Sequence, residues 1–209
     1  MIIRPVIITT LLLSSCFSTF AQNNFRNVDA FLKATLKNGE QLSSSAKGDL
    51  NGDGTEDWVG VIHGRPADES PTYQIFVLVR GSDGSYRLVA QTEKAEIPGM
   101  GCCWLEDLTI RRGSIYIENN AKTAATMEAA THQFKWYKGD WRLVGVKIYL
   151  TVHTPGAEST TDTDMNVLTG LVIEKTQKGN NRPVSTRRTK KFLVAYLRDF
   201  DFFNGFGTE

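Results

Sequence analysis

Five oxygen-bearing residues, Asp49, Asn51, Asp53, Thr55 and Asp57, stand at alternate positions of one stretch, GDLNGDGTEDWVGVI (Gly48–Ile62). The spacing is D-x-N-x-D-G-x-x-D. In a tight turn such side chains converge on one point, and Gly54 lets the backbone bend sharply between them. A hard divalent cation needs that donor set. Calcium takes six to eight oxygens at about 2.3–2.6 Å, which three carboxylates, the Asn51 amide, a backbone carbonyl near Thr55 and water can supply. Three spaced carboxylates without a cation repel one another. The spacing therefore predicts one Ca2+ site at Asp49, Asn51, Asp53, Thr55 and Asp57, with the affinity of about 0.1–1 mM that suits an extracellular structural clip. A polar turn that starts a strand without metal is the competing reading.

The pattern departs from an EF-hand at its twelfth position, where Gly60 stands in place of the bidentate glutamate. Asp57 followed by WVGVI instead resembles the calcium loops of FG-GAP and VCBS repeats, which are common in extracellular β-propellers and adhesion proteins. The resemblance covers about 15 residues, counted from the Gly48–Ile62 stretch. It implies calcium ligation and an extracellular setting. Those repeats come in several copies and this sequence has one, so a whole propeller does not follow.

Other chemistry is weaker. GMGCCW (Gly99–Trp104) sets Cys102 beside Cys103, and adjacent Cα atoms lie about 3.8 Å apart, closer than a relaxed disulfide prefers. A strained vicinal disulfide, two thiols, or a bridge to another chain are all open. No G-x-S-x-G elbow, H-E-x-x-H helix or P-loop is present. A cysteine nucleophile with His132 or His153 would have to assemble in space. The basic run RPVSTRRTKKF (Arg182, Arg187, Arg188, Lys190, Lys191) could meet phosphate or an acidic partner, or simply guard a strand edge. Trp136, Tyr137 and Trp141 bracket the turn Lys138–Asp140, where aromatics stack on sugars or on each other. Phe200, Phe202, Phe203 and Phe206 suit a terminal strand tucked into the sheet.

The elements that carry these residues follow a leader. Arg4 precedes the apolar run Val6–Leu13, which is too short to span a bilayer and reads as a signal peptide, residues 1–21. LSSC (Leu13–Cys16) resembles a lipoprotein lipobox, which implies a leader of residues 1–15 and lipid on Cys16. Thr19 and Ala21 support cleavage after Ala21 instead. With Arg4 removed, 23 acids are left level with the basic residues, which number 24 in the full chain. A balanced surface lacks the long-range pull on nucleic acid or acidic membrane. Membrane contact would then come only through lipid at Cys16.

Residues 22–209 read as one mainly β domain with one short N-terminal helix. Val28, Phe31, Leu32 and Leu36 at helical spacing, with Gly39 after them, predict the helix over about 27–38. Ser43–Gly48 reads as a polar connector, and from Trp58 the period becomes two. Hairpins are expected at Thr72–Val79 with Tyr86–Gln91, around Gly113, and around Lys138–Asp140. A fourth pairs Met165–Lys175 with Lys190–Leu197, leaving Pro155–Asp164 and Lys178–Thr189 as loops. The result is an antiparallel meander or sandwich. These features point to a non-catalytic, calcium-binding exported domain whose partner is an envelope or extracellular macromolecule, a protein before a carbohydrate. A periplasmic inhibitor or immunity protein and an envelope-polymer hydrolase are the alternatives.

Overall fold

Asn27 starts α1 (Val28–Thr35), the one α-helix among the described residues, in the computed structural model, which describes residues 24–64, 71–96 and 103–201. Its side chain accepts the Ala30 N–H at 2.8 Å, satisfying one of the donors a helix leaves free at its start. Asp29 in the first turn and Lys33 in the last suit the helix dipole. The helix is shorter than the expected 27–38 because Leu36 already has extended backbone (ψ 126°), and the chain turns at Gly39 with φ +81°.

The strands form two antiparallel sheets, so the mainly β class with one short helix holds. The first sheet contains β1 (Asn24–Phe25), β2 (Glu40–Gly48), β3 (Asp57–Gly64), β4 (Thr72–Arg80), β5 (Tyr86–Gln91) and β6 (Ala95–Glu96). Its order is β1-β5-β4-β3-β2, with β6 added on β4. The second is an uninterrupted meander of β7 (Cys103–Arg111), β8 (Ser114–Lys122), β9 (Thr126–Tyr137), β10 (Asp140–Thr154), β11 (Ala157–Asn166), β12 (Leu171–Lys178) and β13 (Val184–Thr189). Two of its turns have two residues with positive φ, Arg112 and Gly113 (51° and 69°) and Lys138 and Gly139 (52° and 86°). That is the primed geometry that matches strand twist.

Alternation along β3 and β4 explains the layers. Val59, Val61, Ile75 and Val77 pack with Ile115, Ile117, Phe134 and Val146 of the second sheet. Trp58, Ile62, Phe76 and Leu78 face the other way, onto Phe31 of α1. Both faces of these two strands are thus covered, which is why they read as near-continuous apolar runs. Order across the molecule is helix, first sheet, second sheet.

Four sequence expectations give way. Ser43–Gly48 is part of β2, pairing with β3, and not a connector. Pro155–Asp164 is mostly β11, entered by the turn Pro155–Gly156, and Lys178–Thr189 contains β13. These strands are rich in Thr and charge and have little buried surface, so no apolar period marks them. The expected pair of Met165–Lys175 with Lys190–Leu197 is replaced, since the first segment is itself broken by a turn ending at Gly170. Lys190–Leu197 crosses the end of the sheet instead, giving the Ala195 carbonyl to the Leu143 N–H at 2.9 Å. The leader (residues 1–21), Cys16, Cys102, Phe202, Phe203 and Phe206 lie outside the described residues.

Phe200 is buried after a 3-10 turn, Leu197–Asp199, and not on a strand. Its ring meets His132 at 5.0 Å and Phe134 at 5.1 Å, edge to face. Burial pushes the His132 imidazole down to about 4, against a hydrogen bond to the Ile117 backbone that pulls the other way. The unfolded chain therefore takes up a proton as pH falls below about 6.5, while the folded protein resists until about 4. Stability is full above that window and drops by about 3 kcal/mol across it. Urea melts at pH 7 and pH 4.5 should show that loss in the wild type and a much smaller one in His132→Phe.

Candidate metal centre

The acidic loop joins β2 to β3 and lies where the two sheets approach each other. Gly48, just before it, runs so close to β7 that a Cβ there would sit 2.7 Å from Ile110 Cγ2. Leu50, inside the loop, is 5% exposed and belongs to the core between the sheets. Gly113 of the β7–β8 turn lies against the Leu50 carbonyl, where a Cβ would come within 3.3 Å. The acids thus decorate a turn that is pinned by an apolar anchor.

The side chains of Asp49, Asn51 and Asp53 have defined partners. Asp49 Oδ1 accepts from the Asn51 and Gly52 N–H groups at 3.2 and 2.6 Å, and its Oδ2 accepts from the Gly54 N–H at 2.9 Å. Gly52 and Gly54 have φ of +81° and +80°, the left-handed backbone that wraps these amides around the carboxylate. Asn51 Oδ1 accepts the Asp53 N–H at 2.9 Å, and Asn51 Nδ2 donates to Asp53 Oδ2 at 2.8 Å. Asp53 Oδ1 takes the Thr55 N–H and hydroxyl at 2.8 and 2.6 Å. These bonds from Thr55, then that from Asn51, hold the exposed Asp53 carboxyl below its ordinary value.

Asp57 differs from the rest because it has no exposed surface. Its Oδ2 accepts the Leu50 N–H and its Oδ1 the Arg80 N–H, both at 2.8 Å. It therefore ties the start of the loop, the start of β3 and the end of β4 together. Burial, then the charges of Asp53 and Asp49, outweigh these two bonds and leave its carboxyl raised. The Asp53 and Asp49 contribution is the like-charge repulsion that the spacing implies.

The structure brings Asp49, Asn51, Asp53 and Thr55 into one turn and sets Asp57 behind it. Among the described residues no three His, Cys, Asp or Glu side chains gather as a metal cluster. Calcium loops also draw on amide and backbone oxygens, and here those of Asn51 and Thr55 belong to the same turn. The residue types are those a hard cation takes, although each carboxylate oxygen of Asp49, Asp53 and Asp57 accepts a hydrogen bond from the protein. Asp49, Asn51, Asp53 and the Thr55 carbonyl would hold it, with Asp57 contributing charge from beneath.

Sequence reasoning missed the neighbours. A cleft of about 500 Å³ beside the loop is lined by Asp49, Asn51, Gly52, Arg112 and Lys135 among others. These two cations reduce the loop's negative potential and will weaken any cation held there. Only the turn signal at Gly113 hinted that β8 would return beside the loop.

The remaining candidates separate in space. His132 is buried against Phe200, whereas His153 is exposed and 3.2 Å from Glu158. Cys103 opens β7 opposite Ala121. Trp141 is 3% exposed, so of the three aromatics at the Lys138–Gly139 turn only Trp136 and Tyr137 present surface. No protein-family model, no curated protein and no solved structure matches this chain.

Proposed function

We propose that this is a non-catalytic, exported β-domain that binds calcium in the Asp49–Asp57 loop and acts by holding a macromolecular partner at the cell envelope or outside the cell. One observation carries the calcium part of the reading. A turn bearing Asp49, Asn51 and Asp53 is anchored by buried Leu50 where the sheets meet, above the Asp57 carboxylate, which burial raises first and the nearby charges of Asp53 and Asp49 raise further. A dication there offsets that repulsion and stiffens the turn that joins β2 to β3. Rigid sheets that present edges and loops can position them for recognition of a partner.

Export is tested by intact-mass and N-terminal analysis of the protein recovered from its native cell. The account expects a chain that starts at a lipid-bearing Cys16 or at Gln22. Recovery of a chain that keeps Met1 would remove the envelope assignment. Partner binding is tested by affinity capture from envelope extract in calcium and in EDTA, with one protein expected in stoichiometric amount in calcium. Equal, substoichiometric recovery of many proteins in both buffers would contradict it.

A further inference from the structure

We infer that the outer edge of β13 is a docking edge, and that it takes an extended acidic segment of a partner protein as an eighth strand of the second sheet. The inference rests on the partner-binding reading above but not on calcium. β13 is the last strand in the order β13-β12-β11-β10-β9-β8-β7, and no strand lies beyond it among the described residues. All six of its residues are exposed. Such an edge presents a row of backbone N–H and C=O groups, the template that strand addition uses.

Charge selects the occupant. From Arg182 to Lys191 the chain has five cations and no acid. Arg188 makes an ion pair with Glu174 at 3.6 Å, and Lys190 lies over the Phe192 ring at 5.9 Å. Among the described residues Arg182, Arg187 and Lys191 have no carboxylate partner in an ion pair. Basic side chains protect an edge from indiscriminate pairing, and the same charges admit a strand of opposite sign. A second copy of this chain is disfavoured, since antiparallel pairing of β13 with itself would crowd four guanidinium groups into one short ladder.

The register adds a finer requirement. Arg187 pairs opposite Ile173 and Arg188 opposite Val172, so the two guanidiniums leave the edge on opposite faces of the sheet. An added strand meets both only with two consecutive acids, one for each face. Alternating acids would meet one face alone. Val184, Thr186 and Thr189 leave β-branched side chains beside these sites, which suits Val or Thr at the flanking positions of the ligand.

The test uses the full chain and a fluorescent synthetic peptide, Thr-Val-Thr-Glu-Glu-Thr-Val-Thr. Three results are expected together. The peptide binds and slows hydrogen exchange of β13 amides. Arg187→Glu with Arg188→Glu weakens binding at least about tenfold, and Arg187→Gln with Arg188→Gln weakens it less, with both variants keeping the wild-type melt. N-methylation of alternate peptide residues, in one of its two phases, abolishes binding without changing any charge, because it removes the donors of the ladder. Binding that survives both N-methylated phases, that leaves β13 exchange unchanged, or that is absent up to about 1 mM peptide overturns the inference. So does preferential binding to anionic phospholipid vesicles, which would make the patch a membrane surface. A partner captured equally by wild type and by the glutamate variant would sink the edge while leaving the proposed function standing.

Discussion

Asp57→Ala is expected to cost about 3–5 kcal/mol, one of the largest effects of any single truncation outside the core. The side chain has no exposed surface and serves two backbone donors, Leu50 N–H and Arg80 N–H, in separate segments. Removing it strands both amides, each at about 1–3 kcal/mol. One relief works against this: burial and the charges of Asp53 and Asp49 already raise the carboxyl, so its ionisation as pH rises through that raised value costs the fold some stability. The two lost acceptors outweigh it. Asp57→Asn separates the contributions, because an amide removes the charge but offers an acceptor to only one of the two donors. Denaturant melts should place Asn between wild type and Ala. A wild-type melt for Ala would mean that the loop and β4 are held by something else.

Gly60→Ala is the second large effect, about 3 kcal/mol. Gly60 lies on the helix side of β3 between Trp58 and Ile62, and the Trp58 indole lies across it. An added Cβ would fall 2.0 Å from Trp58 Cη2 and 2.2 Å from Cζ2. The ring cannot simply swing aside, since Trp58 is 2% exposed and Phe31 abuts it at 5.7 Å. The methyl must displace the indole, and with it the contact that seats α1 on the first sheet. A blue-shifted, buried tryptophan emission should therefore move toward the solvent value together with the loss of stability. Unchanged emission and an unchanged melt would show that the strand has room there.

Much of this arrangement was legible from particular residues. Val28, Phe31, Leu32 and Leu36 at helical spacing announced α1, and the paired runs either side of Gly113 and of Lys138–Asp140 announced β7 to β10 of the second sheet. β11 and β13 were not legible. Ser159, Thr160, Thr161 and Thr163 alternate between the two faces without a change of polarity, so period two leaves no trace. The run FLVAYL misled for the opposite reason. It is apolar, yet Leu193 and Val194 are 63% and 57% exposed while Leu197 is fully buried, the pattern of a strap crossing the end of a sheet. In the loop, the acids and their order were plain. The donors to Asp57 were not, because Arg80 is 23 residues away in sequence and meets it only once β3 and β4 have paired.

Calcium occupancy is tested most directly by paired thermal melts of the purified protein in EDTA and in about 10 mM calcium, for wild type and for Asp53→Ala. For a site of about 0.1–1 mM affinity, the wild type should melt about 4 °C or more higher with calcium. Asp53→Ala should melt near the wild type in EDTA and gain nothing from the ion, because Asp53 is solvent-exposed and bonds only within the turn. Superimposable wild-type melts in the two buffers would contradict the account and leave the loop as a hydrogen-bonded turn without metal.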